Sequence, residues 1–334
     1  MRKAATIQDI ARTVGVSTAT VSRALSHPER VAEQTRMAVL EVVRQSGYRV
    51  NRTARNLRRQ RSGSILALVP NLANPFFSAI LSGLSTVLAA SGHALLVADT
   101  RTGSNPSMRV SEYLAGGMAD GVVILDGSLP DAKALERQRL PVVLACEWSP
   151  HRLPSVRVDN EGGAALAIRH LVQRGHRTIG HLMGPPENVL TISRLAGTKQ
   201  ALAEAGLSLL PEHIFTGDFG LESGAKAAAD WLSLRQRPTA VFCASDEMAC
   251  GFIGALCHAG IDVPGSVSVV GFDDIEVSAY LTPALTTIRQ PRRLIGERAG
   301  QLLLGMIEAK SAQAPTEVLP VELIERQSVA NPAG

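Results

Sequence analysis

Residues 14–25 read VGVSTATVSRAL. A glycine, then a serine, then small hydroxyl residues with apolar ones at intervals: one helix ends here and another begins. Upstream, Ile7, Ile10, Ala11 and Val14 fall at i, i+3, i+4 and i+7, one apolar stripe along a helix. Thr6 can cap that helix, and Asp9 sits three residues on, near the positive end of its dipole. Gly15 breaks the helix, and Val16 can pack under the turn. Ser17 is a good N-cap for a second short helix. In that helix Val21, Ala24 and Leu25 face inward, leaving Thr18, Ala19, Ser22 and Arg23 outward. Two short helices joined by a glycine-containing turn make a helix-turn-helix unit. A third helix is expected over about 32–46, with Val39, Val42 and Val43 inward and Gly47 as its stop.

The charge follows the same division. Residues 1–63 hold thirteen Lys or Arg against four acids, a net charge of +9, while the remainder of the 334-residue chain carries −5. A basic head on an acidic body points to a polyanion as partner of the head. A solvated basic face would look the same by charge alone, so the helix pattern decides for DNA. In a helix-turn-helix the second helix enters the major groove N-terminus first. Small residues at its start permit close approach. Thr18 can donate to or accept from base edges, the Ala19 methyl can touch a thymine methyl, and Arg23 can reach guanine in bidentate fashion. Ser17, Thr20 and Ser22 suit phosphate contacts, which position the helix without reading sequence.

The run NRTARNLRRQRSG (51–63) follows. Asn51 can cap a short helix in which Ala54 and Leu57 share a face and arginines cover the rest. It is either a solvated basic linker or a hinge that orders on DNA with Leu57 as an apolar wedge in the minor groove. The single leucine among arginines favours the hinge.

The stretch TIQDIARTVGVSTATVSRALSHPERVAEQTRMAVLEVVRQSGY resembles the head of the LacI/GalR family of bacterial transcription regulators across the whole motif. The family usually has Pro before the hinge Asn; here Val50 stands there. The resemblance implies that Thr18, Ala19 and Arg23 read bases and that Leu57 intercalates. Thr6, Ser17, Thr20, Ser22, Asn51 and Ala54 complete the expected DNA-facing set.

After Gly63 the sequence changes character. ILALVP (65–70), ALLVAD (94–99), GVVIL (121–125) and PVVLA (141–145) are short apolar, β-rich runs, separated by helical stretches near 76–91, 105–117 and 131–139. The rhythm repeats with TIGHLM (178–183), HIFTG (213–217), TAVFCA (239–244) and VSVVGF (267–272), and helices near 160–174, 194–205, 222–233 and 246–259. Strands alternating with helices mean parallel sheets covered on both faces. The expected fold is thus a small all-α helix-turn-helix head plus an α/β body of two parallel-sheet subdomains. The body resembles the periplasmic-binding-protein-like body of the same family from about 65 to 329. That resemblance implies domains at 1–50 (head), 51–63 (hinge and linker) and 64–334 (effector binding and dimerisation). It also implies discontinuous subdomains, about 64–161 with 291–319 and about 162–290 with 320–330.

Ligands in such sheets lie beyond the carboxyl ends of the strands. Phe76 and Phe77 follow the first strand, Glu147 and Trp148 follow PVVLAC, and Asn188 to Arg194 follow HLMGPP. Phe219, Asp246 and Asp273 follow three later strands. The family pattern implies Phe76, Phe77, Asn188, Arg194, Phe219, Asp246 and Asp273 as effector contacts. Phe76 and Phe219 can equally be plain packing, and Asp246 can be a helix cap. Arg194 and Asp273 are expected to pair across the cleft. Within the family, PFFSAI, CEWSPHRLPSVRVDN and GDFGLESG are similar to the cytidine-responsive and purine repressor (CytR/PurR) branch. That similarity implies a nucleoside or nucleobase effector, with ribose or another sugar as the alternative.

Other classes fit poorly. A transport binding protein shares the body but needs an export signal, and MRKAATIQDIARTVG has no apolar core for one. No Walker A, G-x-S-x-G or H-E-x-x-H pattern is present, so no enzyme and no cofactor is expected. Cysteines 243, 250 and 257 recur every seven residues, which reads as core spacing on a helix rather than a zinc site. His170, His176 and His181 are expected at helix ends and in loops. No segment is apolar enough to cross a bilayer, and a reduced, cytoplasmic protein is expected. After Gln327 only SVANPAG remains, with no apolar heptad, so a homodimer without a tetramer zipper is expected.

Overall fold

The computed structural model describes residues 5–48, 62–100, 117–126, 140–148, 153–309 and 316–332. The chain divides into two compact units, Met1–Ser62 and Gly63–Gly334.

The first unit holds α1 (Ile7–Val14), α2 (Thr18–Ser26), a 3₁₀ turn (Pro28–Arg30) and α3 (Glu33–Ser46). Thr6 and Asp9 form a reciprocal capping box at the start of α1. Gly15 ends α1 with φ 74°, a left-handed turn that glycine adopts without a Cβ clash. Ser17 Oγ then accepts the Thr20 N–H at 3.0 Å and starts α2. Ile10, Val21 and Val39, one from each helix, are fully buried together with Ala11 and Ala24. Each large side chain so buried contributes about 1.5–3 kcal/mol.

The second unit contains two six-stranded sheets. The first has the order β11-β5-β4-β3-β1-β2, built from β1 (Ser64–Val69), β2 (Ala94–Asp99), β3 (Gly121–Ile124), β4 (Val142–Ala145), β5 (Ser155–Val158) and β11 (Thr316–Leu319), all parallel. The second has the order β12-β10-β9-β8-β6-β7, built from β6 (Ile179–Met183), β7 (Ile214–Thr216), β8 (Ala240–Cys243), β9 (Ser268–Asp273), β10 (Thr286–Arg289) and β12 (Glu322–Ile324). Only the β10–β12 pair is antiparallel. β3, β4, β8 and β9 are buried along their whole length, as strands covered on both faces must be. The covering helices are α4 (Phe76–Ala90), α5 (Asn160–Gln173), α6 (Val189–Glu204), α7 (Leu221–Ser233), α8 (Asp246–His258) and α9 (Arg292–Ala309).

The chain passes from the first sheet to the second after β5. It returns through Pro291 into α9, whose Ile295, Ala299 and Leu303 share a core with Ile80 and Leu84 of α4. β11 then joins the first sheet and β12 the second.

Several expectations need correction. α6 begins at Val189, five residues before the expected 194, because Asn188 caps it there. β5, β10, β11, β12 and α9 are absent from the sequence reading. Cys243 lies on strand β8, not on a helix, and Cys257 at the end of α8 is exposed, so the seven-residue spacing is not a core stripe. His181 sits inside β6, fully buried, rather than at a helix end. The expected helices near 105–117 and 131–139 fall, apart from Gly117, outside the described residues, as does 51–61 of the expected hinge.

Candidate functional site: a recognition face and a cavity between two sheets

On α2, Thr18, Ala19 and Arg23 are exposed, and Thr20 and Ser22 are half-buried. The Ser17 and Thr20 hydroxyls bond each other at 2.9 Å, and Ser17 Oγ also accepts the Thr20 N–H of the cap. Thr6 donates its hydroxyl to Asp9 Oδ2 at 2.7 Å. Of the five described arginines in this unit, Arg12, Arg30, Arg36 and Arg44 each face a neighbouring carboxylate. Arg23 has no ion pair with another described residue, so its fork is available one turn along the helix from Ala19. Asn51, Ala54 and Leu57 lie outside the described residues.

In the second unit a cavity of about 450 Å³ opens at the carboxyl ends of both sheets. The first sheet's half supplies Phe76 and Phe77 from the start of α4, Asp126 after β3 and Glu147 after β4. The second supplies Asn188 and Arg194 from α6, Phe219 before α7 and Asp273 at the end of β9. Phe76 and Phe77 meet edge to face, ring centroids 5.1 Å apart. Phe219 lies against Gly184, where any Cβ would stand 2.1 Å from its ring. Four described non-glycine residues have positive φ: Cys146 (74°), Phe219 (68°), Asp273 (127°) and Asp274 (53°). The first three line the cavity. Backbone held in that region costs about 1–3 kcal/mol per residue and gathers where geometry serves a ligand.

Arg194 is the charged centre of the wall and is only 2% exposed. Its Nε donates to Asn160 Oδ1 at 2.9 Å and its Nη1 to the Ala244 carbonyl. Its guanidinium stacks 3.8 Å over the Phe272 ring. Asp273 accepts from Gln290 Nε2 at 2.7 Å. Burial pushes the Asp273 carboxyl up to about 7, with Arg194 pulling it partly back. Arg194 and Asp273 come from the same half, so they do not pair across the cleft as the sequence reading expects. Across the cleft, Asn188 Nδ2 donates to Glu147 Oε1 at 3.2 Å.

Two expected contacts lie elsewhere. Asp246 neither caps its helix, which Ser245 does, nor lines the cavity. It is fully buried and accepts from the Ile275 N–H and the Ser278 and Thr287 hydroxyls, anchoring the turn that follows Asp273 and Asp274. Trp148 is half-buried outside the cavity lining, with the Arg157 guanidinium 4.6 Å over its ring.

Two family models match: bacterial regulatory proteins, lacI family, over residues 6–51, and the periplasmic binding protein-like domain over 168–329. The HTH-type transcriptional repressor CytR of Escherichia coli (strain K12) is 39% identical over 328 residues, 97% of this chain and 96% of that protein. The chain belongs to the LacI family of bacterial transcription regulators. Among solved structures, the lac repressor dimer bound to operator and the anti-inducer ONPF superposes with a TM-score of 0.87 at 28% identity, covering 98% of this chain and all of that one. The CelR–cellobiose complex gives a TM-score of 0.75 at 30% identity, covering 97% and 99%. As a LacI-family protein the chain is a DNA-binding transcriptional repressor and not an enzyme.

For a LacI-family member, the sequence reading missed several groups of this wall. Asp126, Cys146 and Ser245 line the cavity, and Asn160 and Gln290 hold Arg194 and Asp273 from behind. Asp126 and Ser245 follow strands as the other candidates do, so the strand-end rule could have found them. Asn160 and Gln290 act through contacts that no spacing announces. Among the described residues no cluster of metal-ligating side chains occurs, and no helix is long and apolar enough to cross a membrane.

Proposed function

We propose that the protein is a cytoplasmic homodimeric repressor that binds a pseudo-palindromic operator and is gated by a nucleoside or nucleobase. The domains would be a head at 1–50, a hinge and linker at 51–63, and an effector and dimerisation body at 64–334. Thr18, Ala19 and Arg23 read bases, and Leu57 wedges the minor groove. Phe76, Phe77, Glu147, Asn188, Arg194, Phe219 and Asp273 hold the effector. The carrying observation is the cavity itself: aromatic side chains from both halves, with buried carboxylates and a guanidinium beside them, suit a flat ring bearing hydroxyl and amide groups. The similarity to CytR along nearly the whole chain supports a nucleoside. A sugar is the second reading, favoured by the likeness to the cellobiose complex of CelR.

An effector that fits one arrangement of the two halves better than another shifts the protein toward it, and operator affinity changes by the same differential. The test is a thermal-shift screen of nucleosides, bases and sugars against the full-length protein. A ligand of the native state raises the melting point. A nucleoside or base is expected to do so, and a shift confined to sugars overturns the nucleoside reading.

A further inference from the structure

The chain returns from the second half to the first at Pro291, and the next residue, Arg292, opens α9. The Arg292 side chain is only 7% exposed and does not line the cavity. Its guanidinium reaches both halves. Nη1 donates to the Pro75 and Phe76 carbonyls, each at 3.3 Å, at the start of α4 in the first half. Nη2 donates to the Asp274 carbonyl at 2.9 Å and to Glu276 Oε1 at 3.2 Å, in the turn after β9 in the second.

Each end of this span is anchored in its own half. In the turn, Asp246 accepts from the Ile275 N–H and the Ser278 hydroxyl. Arg289 and Arg326 donate to the Asp274 carboxylate at 2.6 and 2.7 Å, and Gln290 donates to Asp273. On the other side, α4 and α9 touch through Gly83 and Gly296, where a Cβ on either would run into the other helix's backbone. The anchored turn carries Asp273, and the anchored helix start carries Phe76 and Phe77; all three line the cavity. Charge does not recommend a cation here. Arg292 stands at the amino ends of α4 and α9, whose dipoles both oppose it. What arginine supplies is a rigid fork of donors that can bridge two backbones, which the single ammonium of a lysine cannot match.

We infer that Arg292 is a positioning residue for the cavity: it braces the Asp273 turn against the start of α4, so that movement of one cavity wall is carried to the other. A chain crossing by itself leaves two halves free to pivot. The brace fixes their relation beside the crossing at Pro291, from outside the ligand's reach. Its use in gating rests on the cavity being the effector site. The brace itself belongs to the ligand-free chain, so it is tested with the cavity empty.

The experiment is amide hydrogen exchange of the full-length protein without ligand, resolved to single residues. It is read at Phe77 and Ser78, whose N–H groups donate to the Asn74 and Pro75 carbonyls at the start of α4. Local opening sets these rates. Arg292→Lys keeps the charge but not the fork, and should raise both about tenfold. Arg293→Lys is the control. Arg293 donates to Glu297 and Thr86, both in the first half, so the two rates should stay as they are. Ser278→Ala loosens the turn from the second half. It should raise the same two rates about threefold in the otherwise wild-type chain and add nothing in the Arg292→Lys background. A brace produces that non-additivity, and a side chain that merely packs does not. Should Arg292→Lys fail to fold, Glu276→Ala removes one exposed partner of the fork and should still raise both rates about threefold. Unmoved rates in Arg292→Lys or Glu276→Ala overturn the inference. So does a Ser278→Ala effect that is equal in the two backgrounds. A rise across β1 and β8 as large as that at α4 marks general loosening and overturns it too. A ligand screen that finds nothing removes the effector-site reading, and these rates still decide the brace.

Discussion

The two units put their working groups in opposite physical settings. In Met1–Ser62 the groups proposed to read bases, Thr18, Ala19 and Arg23, are exposed, and the core beneath them is purely apolar. Removing Thr18, Ala19 or Arg23 therefore takes nothing from the packing. In Gly63–Gly334 the charged groups proposed to face the ligand are themselves buried. Arg194, Asp273 and Glu147 are held by hydrogen bonds and opposing charge rather than by water. Function and stability separate in the head and are entangled in the body. A surface that meets a large, highly charged partner can wait in solvent. A site that recognises a small molecule by a few hydrogen bonds must exclude water and organise those groups beforehand.

The sharpest test of that contrast is Arg194→Ala. It leaves the Asn160 carbonyl and the Ala244 carbonyl without their donor, and it removes the positive charge that Asp273 and Glu147 feel. Stripping one partner from a buried charged cluster costs about 3–5 kcal/mol. The expected result is a lower melting transition for the second unit by scanning calorimetry, together with a lost ligand response. The first unit's transition should stay where it was. A second unit that melts like wild type would show that Arg194 is as dispensable to the fold as Arg23.

The same contrast explains how much was legible in the sequence. The head is contiguous and its signals are local: a stripe at Ile7, Ile10, Ala11 and Val14, a glycine with φ 74° and a capping serine. Each is a short-range preference that tertiary packing only reinforces, so α1 and α2 are visible directly. The apolar central strands are visible for the same reason. β10 (TTIR), β11 (TEVL) and β12 (ELI) are short, carry charged residues and sit near or at sheet edges, so they show neither an apolar run nor a long alternation. The cavity is harder still. Its position at strand ends follows from the α/β pattern, which brings Phe76, Phe77, Glu147, Asn188, Arg194, Phe219 and Asp273 to one place. Arg194 and Asp273 both lie between the crossing after β5 and the return at Pro291, so they belong to the same half, and a place after a strand does not by itself say which wall of the cleft a residue joins. Asp246 also follows a strand, β8, yet does not line the cavity. Only the three donors around its carboxylate reveal it as an anchor of the neighbouring turn.

Arg23→Ala probes the other side of the comparison. Arg23 is exposed and has no described ion pair, so its loss should leave melting unmoved. Operator affinity should fall by about 1–3 kcal/mol, with relaxed preference at one base pair, if its fork reads guanine. Fluorescence anisotropy on operator variants measures this. Unchanged affinity would mean that α2 presents a different register to the groove, while a lowered melting point would break the separation of function from stability in the head.

The smallest expected effect concerns protons and belongs to the body alone. Burial raises the Asp273 carboxyl to about 7, against Arg194, Arg292 and the Gln290 amide, which favour its charged form, and with Asp246 opposing it. An acid whose folded pKa is raised holds its proton longer in the native state than in the unfolded one. Its contribution to stability is therefore complete below about 4 and is lost as pH rises through 7. Buried His181, pushed down to about 3 by loss of solvent, acts in the opposite sense. Its neutral native form stabilises above about 6.5, and that contribution shrinks as pH falls toward 3. The two slopes oppose each other between about 4 and 6.5, so melting points cannot isolate Asp273 there. Ligand affinity can. A neutral ligand that donates a hydrogen bond to the ionised carboxylate must first see the proton leave. Its affinity should rise about tenfold between pH 6 and pH 8, or ~1.4 kcal/mol, and flatten above. Asp273→Asn should bind more weakly and lose the slope. A slope that survives the substitution would assign the proton to another group in the wall.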